Sequence, residues 1–86
     1  MERLVFSFAF QRQLRKIVNK NPRLKNKINK TLKTLLKDIN HPSLRLHKLA
    51  GKNNWSISVT ESIRIIIHLG ENSIYCLRIG THNQVY

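Results

Sequence analysis

The sequence predicts an α+β fold of two layers: an N-terminal αα-hairpin packed on one face of a small, mainly antiparallel β-sheet. Three observations predict it. Apolar side chains recur at helical spacing from Phe10 to Ile39. From Trp55 onward the period falls to two, the spacing of a half-buried strand. A short apolar run, Leu4-Val5-Phe6, stands ahead of the helical stretch and suits one strand more. The 86 residues leave room for a single domain, 1–86, with one modest core.

Element by element, Ser7 offers a helix N-cap. Phe10, Leu14, Ile17 and Val18 follow at i, i+4, i+7 and i+8, with Gln11, Arg12, Arg15 and Lys16 on the other face, so the first helix should end near Asn19 or Lys20. Asn21-Pro22 reads as a restart, Asn capping and Pro at the first helical position. Leu24, Ile28, Leu32, Leu35, Leu36 and Ile39 then form one stripe, with Lys25, Lys27, Lys30, Lys33 and Lys37 outside it. The short connector makes the pair an antiparallel hairpin. Asn40-His41-Pro42-Ser43 breaks the helix. Leu44–Leu49 can add a short strand before the loop at Gly51–Asn54.

Trp55, Ile57 and Val59 alternate with Ser56, Ser58 and Thr60 in the next strand. Glu61-Ser62 turns the chain. Ile63–Leu69 is apolar at nearly every position, which predicts a central strand covered on both faces. Gly70-Glu71-Asn72-Ser73 turns again, Ile74–Ile79 is the last strand, and Gly80-Thr81-His82-Asn83 leaves the sheet. If the hairpin covers the face made by Ile63, Ile65, Ile67 and Leu69, then Arg64, Ile66 and His68 share the other. Alternation puts Ile74, Cys76 and Arg78 on one face, bringing Arg78 toward Arg64 if the register permits.

Lys and Arg total 16 against 4 Asp and Glu, a formal charge of +12. Eleven of the basic residues fall between Arg3 and Lys37, a stretch without a single acid; the acids are Glu2, Asp38, Glu61 and Glu71. Such charge draws the chain to polyanions: nucleic acid, an acidic membrane face or an acidic protein. The lone Cys76 makes no internal disulfide, and no CxxC or paired Cys/His spacing suggests zinc. There is no membrane-length apolar run and no signal-peptide pattern, so a cytoplasmic protein without metal or cofactor is expected.

One chemistry suits the remaining side chains. RNA is cut without a metal when its own 2′-hydroxyl attacks the phosphate. That needs a base, an acid and cations that stabilise the dianionic phosphorane. Histidine serves both proton roles near neutral pH. Arginine's planar, permanently charged fork serves the third. His47, His68 and His82 with Arg64 and Arg78 are the candidates, and Trp55, Tyr75 and Tyr86 are aromatic platforms for bases. Residue by residue, plainer roles stand beside these: surface histidines, an arginine anchoring a sheet edge, a tryptophan in the core, lysines on a solvated face. His41 and Cys76 read as structural. Neither a glycine-rich phosphate loop nor a carboxylate pair is present, which argues against nucleotide hydrolysis and two-metal chemistry.

In order, these residues resemble a known group. A short strand and two basic helices precede His47-Lys48-Leu49-Ala50-Gly51, Trp55, Arg64-Ile65-Ile66-Ile67 and Gly80-Thr81-His82-Asn83-Gln84-Val85-Tyr86. The series is similar to the RelE/ParE toxin superfamily over nearly the whole chain, and most of all to its YafQ-like branch of mRNA interferases. The resemblance implies a RelE-like fold and the toxin of a type II toxin–antitoxin system. It implies an endoribonuclease that enters the ribosomal A site, cuts mRNA without a metal and so inhibits translation. By it, His82 and His47 match catalytic histidines, Arg64 the phosphate-stabilising arginine, and Tyr86 the terminal aromatic. Lys48 and Lys52 match ribosome or mRNA contacts more loosely. With Arg78, the lysines of the second helix (Lys27, Lys30 and Lys33) would bind RNA, including 16S rRNA, and an acidic antitoxin would cover the same surface.

The chain departs from that branch at Val59, where the branch has a further histidine, and at Ile63-Arg64, where it carries an Asp-Trp pair. His68 has no counterpart, and its strand face alone makes it a catalytic candidate. Two other functions fit the same features: a ParE-like toxin that poisons DNA gyrase without cutting RNA, and a basic nucleic-acid-binding module.

Overall fold

The computed structural model describes residues 3–86. The elements run β1 (Arg3–Phe6), α1 (Phe8–Lys20), α2 (Leu24–Lys37), a 3-10 turn (Pro42–Leu44), β2 (His47–Lys48), β3 (Asn54–Ser58), β4 (Ile63–Leu69), β5 (Ser73–Thr81) and α3 (His82–Val85). The strands form one sheet in the order β1-β5-β4-β3-β2. Every pairing is antiparallel except β1 with β5. The two-layer α+β expectation holds: α1 and α2 pack on one face of the sheet, and β4 is central.

The core lies between those layers. Phe10, Ile28, Leu32 and Leu35 from the helices meet Ile57, Ile65, Ile67, Ile74, Cys76 and Ile79 from the sheet. Trp55 is half-buried against this cluster, opposite Ile67, so it belongs to the helix-facing side. Leu36, placed in the α2 stripe by spacing, is 45% exposed. The buried positions Ile28, Thr31, Leu32 and Leu35 define the stripe, and Leu36 lies one residue beyond it.

Ser7 caps α1 as expected, its Oγ accepting from the Phe10 N–H at 3.0 Å. The start of α2 differs from expectation. Asn21 gives its N–H to Ile17 O and so closes α1 (2.9 Å), while its carbonyl accepts from the Leu24 N–H (3.1 Å). Pro22 and Arg23 form a tight turn, and the helix begins at Leu24 with no side-chain cap.

β5 carries the second correction. Ile66 pairs with Arg78 but Ile67 pairs with Cys76, so Leu77 is an extra residue in β5. The bulge reverses the alternation. Ile74 and Cys76 face the helices, and Arg78 faces the other way, beside Ile66. Arg78 thus shares the Arg64 face, though not with Ile74 and Cys76. The groups freed by the bulge find partners in Ser7, the cap of α1, and in Gln13 of the helix itself. Ser7 Oγ donates to Leu77 O (2.8 Å), and the Ile79 N–H donates to Gln13 Oε1 (2.9 Å). Side chains of α1 and its cap thus replace the strand that β1, ending at Phe6, does not provide.

Cys76 is fully buried at the bulge. Burial pushes its thiol up from 9.0 to about 12. A protonated, enclosed thiol is a poor nucleophile. Iodoacetamide at pH 8 is therefore expected to leave the folded protein unmodified and to label it fully in denaturant, read by intact mass. The unfolded thiol ionises near 9.0 and the folded one only near 12, so Cys76 makes the fold lose stability as pH rises across that window.

Candidate functional site

The second face of the sheet is not simply open. The chain does not leave the sheet at Gly80: β5 runs on through Thr81, paired with Ile63. The chain then makes the short helix α3, which folds back over the sheet and buries Val85. A capping box starts it: Thr81 and Gln84 each bond the other's backbone, with the Thr81 N–H to Gln84 Oε1 at 2.9 Å. Gly80 makes the return possible. A Cβ there would lie 2.7 Å from Gln84 Oε1 and 3.4 Å from Val85 Cγ1. Ile66 is correspondingly 7% exposed, so the central strand is covered on both faces at that point.

A cleft of about 480 Å³ opens beside α3, lined by Arg45, His47, Leu49, Arg64, His82 and Tyr86. Four of the predicted residues therefore converge: His47 from β2, Arg64 from β4, His82 from the start of α3 and Tyr86 from its C-cap. Among the described residues, no aspartate or glutamate side chain lines the cleft. Arg64 is half-buried and fastened at two points: Nε donates to the hydroxyl of Ser56, and Nη2 donates to Arg45 O at 3.3 Å. Both acceptors are neutral, so the guanidinium is aimed without having its charge cancelled. Ser56 is fully buried and pairs with His47 across β2–β3. One serine thus links the imidazole's strand to the guanidinium. His82, the first residue of α3, and Tyr86, its C-cap, meet edge to face with ring centroids 4.2 Å apart. Both are exposed.

Other candidates lie elsewhere. His68 is four residues from Arg64, about 13 Å along the strand. Its Nδ1 is bonded to Asn54 Oδ1 at 2.7 Å and its ring leans on Tyr75 at 6.0 Å. It is held by these neighbours, away from the cleft. Arg78 is exposed on the Arg64 face but sits opposite Ile66, with Gly80 opposite Arg64. Lys48 donates to Gly51 O (3.1 Å) and lies 5.1 Å over the Trp55 ring, so its charge is partly engaged. Lys52 is exposed in the neighbouring loop. Lys27 and Lys30 line a separate groove beside α2, and Lys33 is exposed on the same helix.

Two features escaped the sequence reading. Arg45, which lines the cleft and holds Arg64, sits two residues before His47 in a segment too irregular for periodicity to place. The α3 cap was legible, since Thr81-His82-Asn83-Gln84 is the Ser/Thr-x-x-Glu/Gln pattern of a capping box.

A variant tests how far the site depends on α3. Gly80→Ala is expected to push Gln84 and Val85 away and shift His82 and Tyr86 with them. An overpacked contact costs about 1–3 kcal/mol of stability. A shift near 1 Å costs a reaction about 100-fold. Any activity of the cleft should therefore fall much further than the melting temperature does. Equal activity in the variant would show that α3 does not position the site.

No protein-family model matches the sequence, and no curated protein matches it. Solved structures do match the fold. A copper-bound mutant toxin from Helicobacter pylori superposes with a TM-score of 0.85 at 20% identity, covering 100% of both chains. A chain of the Escherichia coli DinJ-YafQ toxin–antitoxin complex gives 0.83 at 19%, covering 99% of this chain and 97% of its own. A YoeB/ParE toxin from Agrobacterium tumefaciens gives 0.81 at 15%, covering 93% and 98%. At these identities the likeness establishes a shared fold, the one the sequence resemblance implied. No helix among the described residues is long and apolar enough to cross a membrane.

Proposed function

We propose that this chain is the toxin of a type II toxin–antitoxin system and a metal-independent endoribonuclease that cuts mRNA in the ribosomal A site, in the bacterial cytoplasm. The observation that carries the reading is the cleft itself. Two exposed imidazoles, His47 and His82, stand with Arg64, Arg45 and Tyr86 in a site that no aspartate or glutamate side chain lines among the described residues. One imidazole takes the 2′-hydroxyl proton as the oxygen attacks phosphorus. The other protonates the departing 5′-oxygen. Arg64, held by neutral partners, meets the phosphorane oxygens with its charge available. Tyr86, against His82, orients that ring or stacks on a neighbouring base. His68 has no place in this chemistry.

The charge supports the rest. Lysines of α2 and Lys52 bind the RNA backbone, with the steep salt dependence such contacts show. An acidic antitoxin covers the same surface. Phe8, 88% exposed on an α1 flanked by basic residues, is an apolar anchor for such a partner. The fold is shared with a YoeB/ParE toxin, so gyrase inhibition is the rival reading.

Induced expression in bacteria, with primer extension on a translated message, decides between them. The expected result is growth arrest with new mRNA 5′ ends, both lost in His82→Ala. Arrest with intact message and trapped gyrase–DNA complexes would establish the rival.

A further inference from the structure

The cleft is not the only basic concavity. A groove of about 300 Å³ runs beside α2, lined by Lys27, Lys30, Thr31, Thr34, Ser58 and Glu61 among others, and Arg45 lines both it and the cleft. Arg45 is unusual in a second way. Its backbone is left-handed, with φ 46 and ψ 53, a conformation that is strained for any residue with a Cβ other than Asn or Asp. Its carbonyl, turned by that conformation, accepts from Arg64 Nη2. The backbone of Arg45 thus aims the guanidinium in the cleft, while its exposed side chain stands between the two concavities.

We infer that Arg45 is the phosphate-binding joint between the cleft and the α2 groove, and that the groove holds the RNA strand leaving the cleft and selects ribose over deoxyribose. The inference rests on the RNA-directed part of the proposed function. Lys27, Lys30 and Arg45 supply the cations that phosphates need. The hydroxyls supply something different. Thr31 Oγ1 donates to Lys27 O (2.9 Å), Thr34 Oγ1 to Lys30 O (2.9 Å) and Ser58 Oγ to Thr60 O (2.8 Å). Their protons are engaged, so they face the groove as acceptors only. Acceptors repel phosphate oxygens but bond a 2′-hydroxyl, which DNA lacks. The Glu61 carboxylate is a further acceptor and disfavours phosphate at its own end. Among the described residues, no large apolar side chain but the buried Val59 lines the groove, so an acidic partner covering this surface gains no apolar anchor inside the groove itself.

The test is fluorescence anisotropy with a labelled RNA octamer, the DNA octamer of the same sequence and an oligoglutamate peptide, each over a range of salt. Arg45→Gly removes the side chain but keeps the carbonyl that holds Arg64, and glycine adopts the left-handed conformation freely. It should melt no lower than the parent yet bind RNA about tenfold more weakly, the loss of one charge-assisted contact. The slope of log affinity against log salt should flatten by about 0.7, the value for one phosphate on a single strand. Arg45→Lys should keep the slope. The parent should prefer RNA to DNA, and Thr34→Val should narrow that preference without changing the slope. An unchanged slope in Arg45→Gly, equal affinity for RNA and DNA, or a loss confined to oligoglutamate would each overturn the inference. A parent that binds RNA in this manner but never cuts a translated message would leave the groove standing and remove the nuclease reading instead.

Discussion

Arg64→Met is expected to slow message cleavage by about 10²–10³-fold, the usual loss when one preorganised donor to a developing oxyanion is removed. Arg64→Lys should recover only part of it, because an ammonium is a point charge and lacks the fork that engages two phosphate oxygens at once. The same side chain also has a structural duty. It is the donor to the hydroxyl of buried Ser56 and to Arg45 O. Stranding the buried Ser56 hydroxyl costs about 1–3 kcal/mol, so Arg64→Met should also melt at a lower temperature. The two duties separate in a double variant. Arg64→Met with Ser56→Ala removes both partners of one bond, which is close to neutral for stability. The double variant should regain much of the melting temperature and none of the rate. If cleavage returned along with stability, Arg64 would be a clamp between β3 and β4, and the phosphorane would need another cation.

That dual role shows what was legible in advance and what was not. Period-two alternation placed Arg64 on the face away from the helices, and the structure agrees, because β4 itself is regular. The same rule applied to β5 assigned Ile74, Cys76 and Arg78 to one face and failed. A bulge at Leu77 shifts the register, and its freed groups are satisfied by Ser7 and Gln13, about seventy residues away in sequence. No local pattern announces a bulge whose partners lie that far off. His68 illustrates the converse. Strand parity put it correctly on the Arg64 face, but parity says nothing about position along the strand, and four residues there separate it from the cleft. Helix ends follow the same logic. Ser7 is a cap because its hydroxyl reaches Phe10, whereas Asn21, with equal intrinsic preference, is committed to ending α1. The site depends most on the two pieces that periodicity could not see, the 3-10 turn leading to Arg45 and the four-residue α3.

The convergence of His47 and His82 leads to the second large effect. Replacing either by glutamine should lower the cleavage rate by about 10²–10⁴-fold, the range for losing a positioned acid or base. Glutamine keeps a polar side chain of similar reach but cannot exchange a proton at neutral pH. The rates alone do not say which histidine does which job, but chemistry at the leaving group does. In an RNA whose 5′-bridging oxygen at the cut site is replaced by sulfur, the leaving thiolate departs without a proton. The variant lacking the general acid should then approach the parent's rate, while the variant lacking the base stays slow, because the 2′-hydroxyl must still be deprotonated. One histidine of the pair should be rescued and the other not, with the rescued variant also losing the alkaline limb of the pH–rate profile. The contact between His82 and Tyr86 adds a check: Tyr86→Leu should weaken whichever role His82 fills, and Tyr86→Phe, which keeps the ring edge, should not. Rescue of both variants, or of neither, would mean that the two imidazoles do not divide the proton transfers between them, and the cleft would be better read as a binding surface for a partner that the protein does not cut.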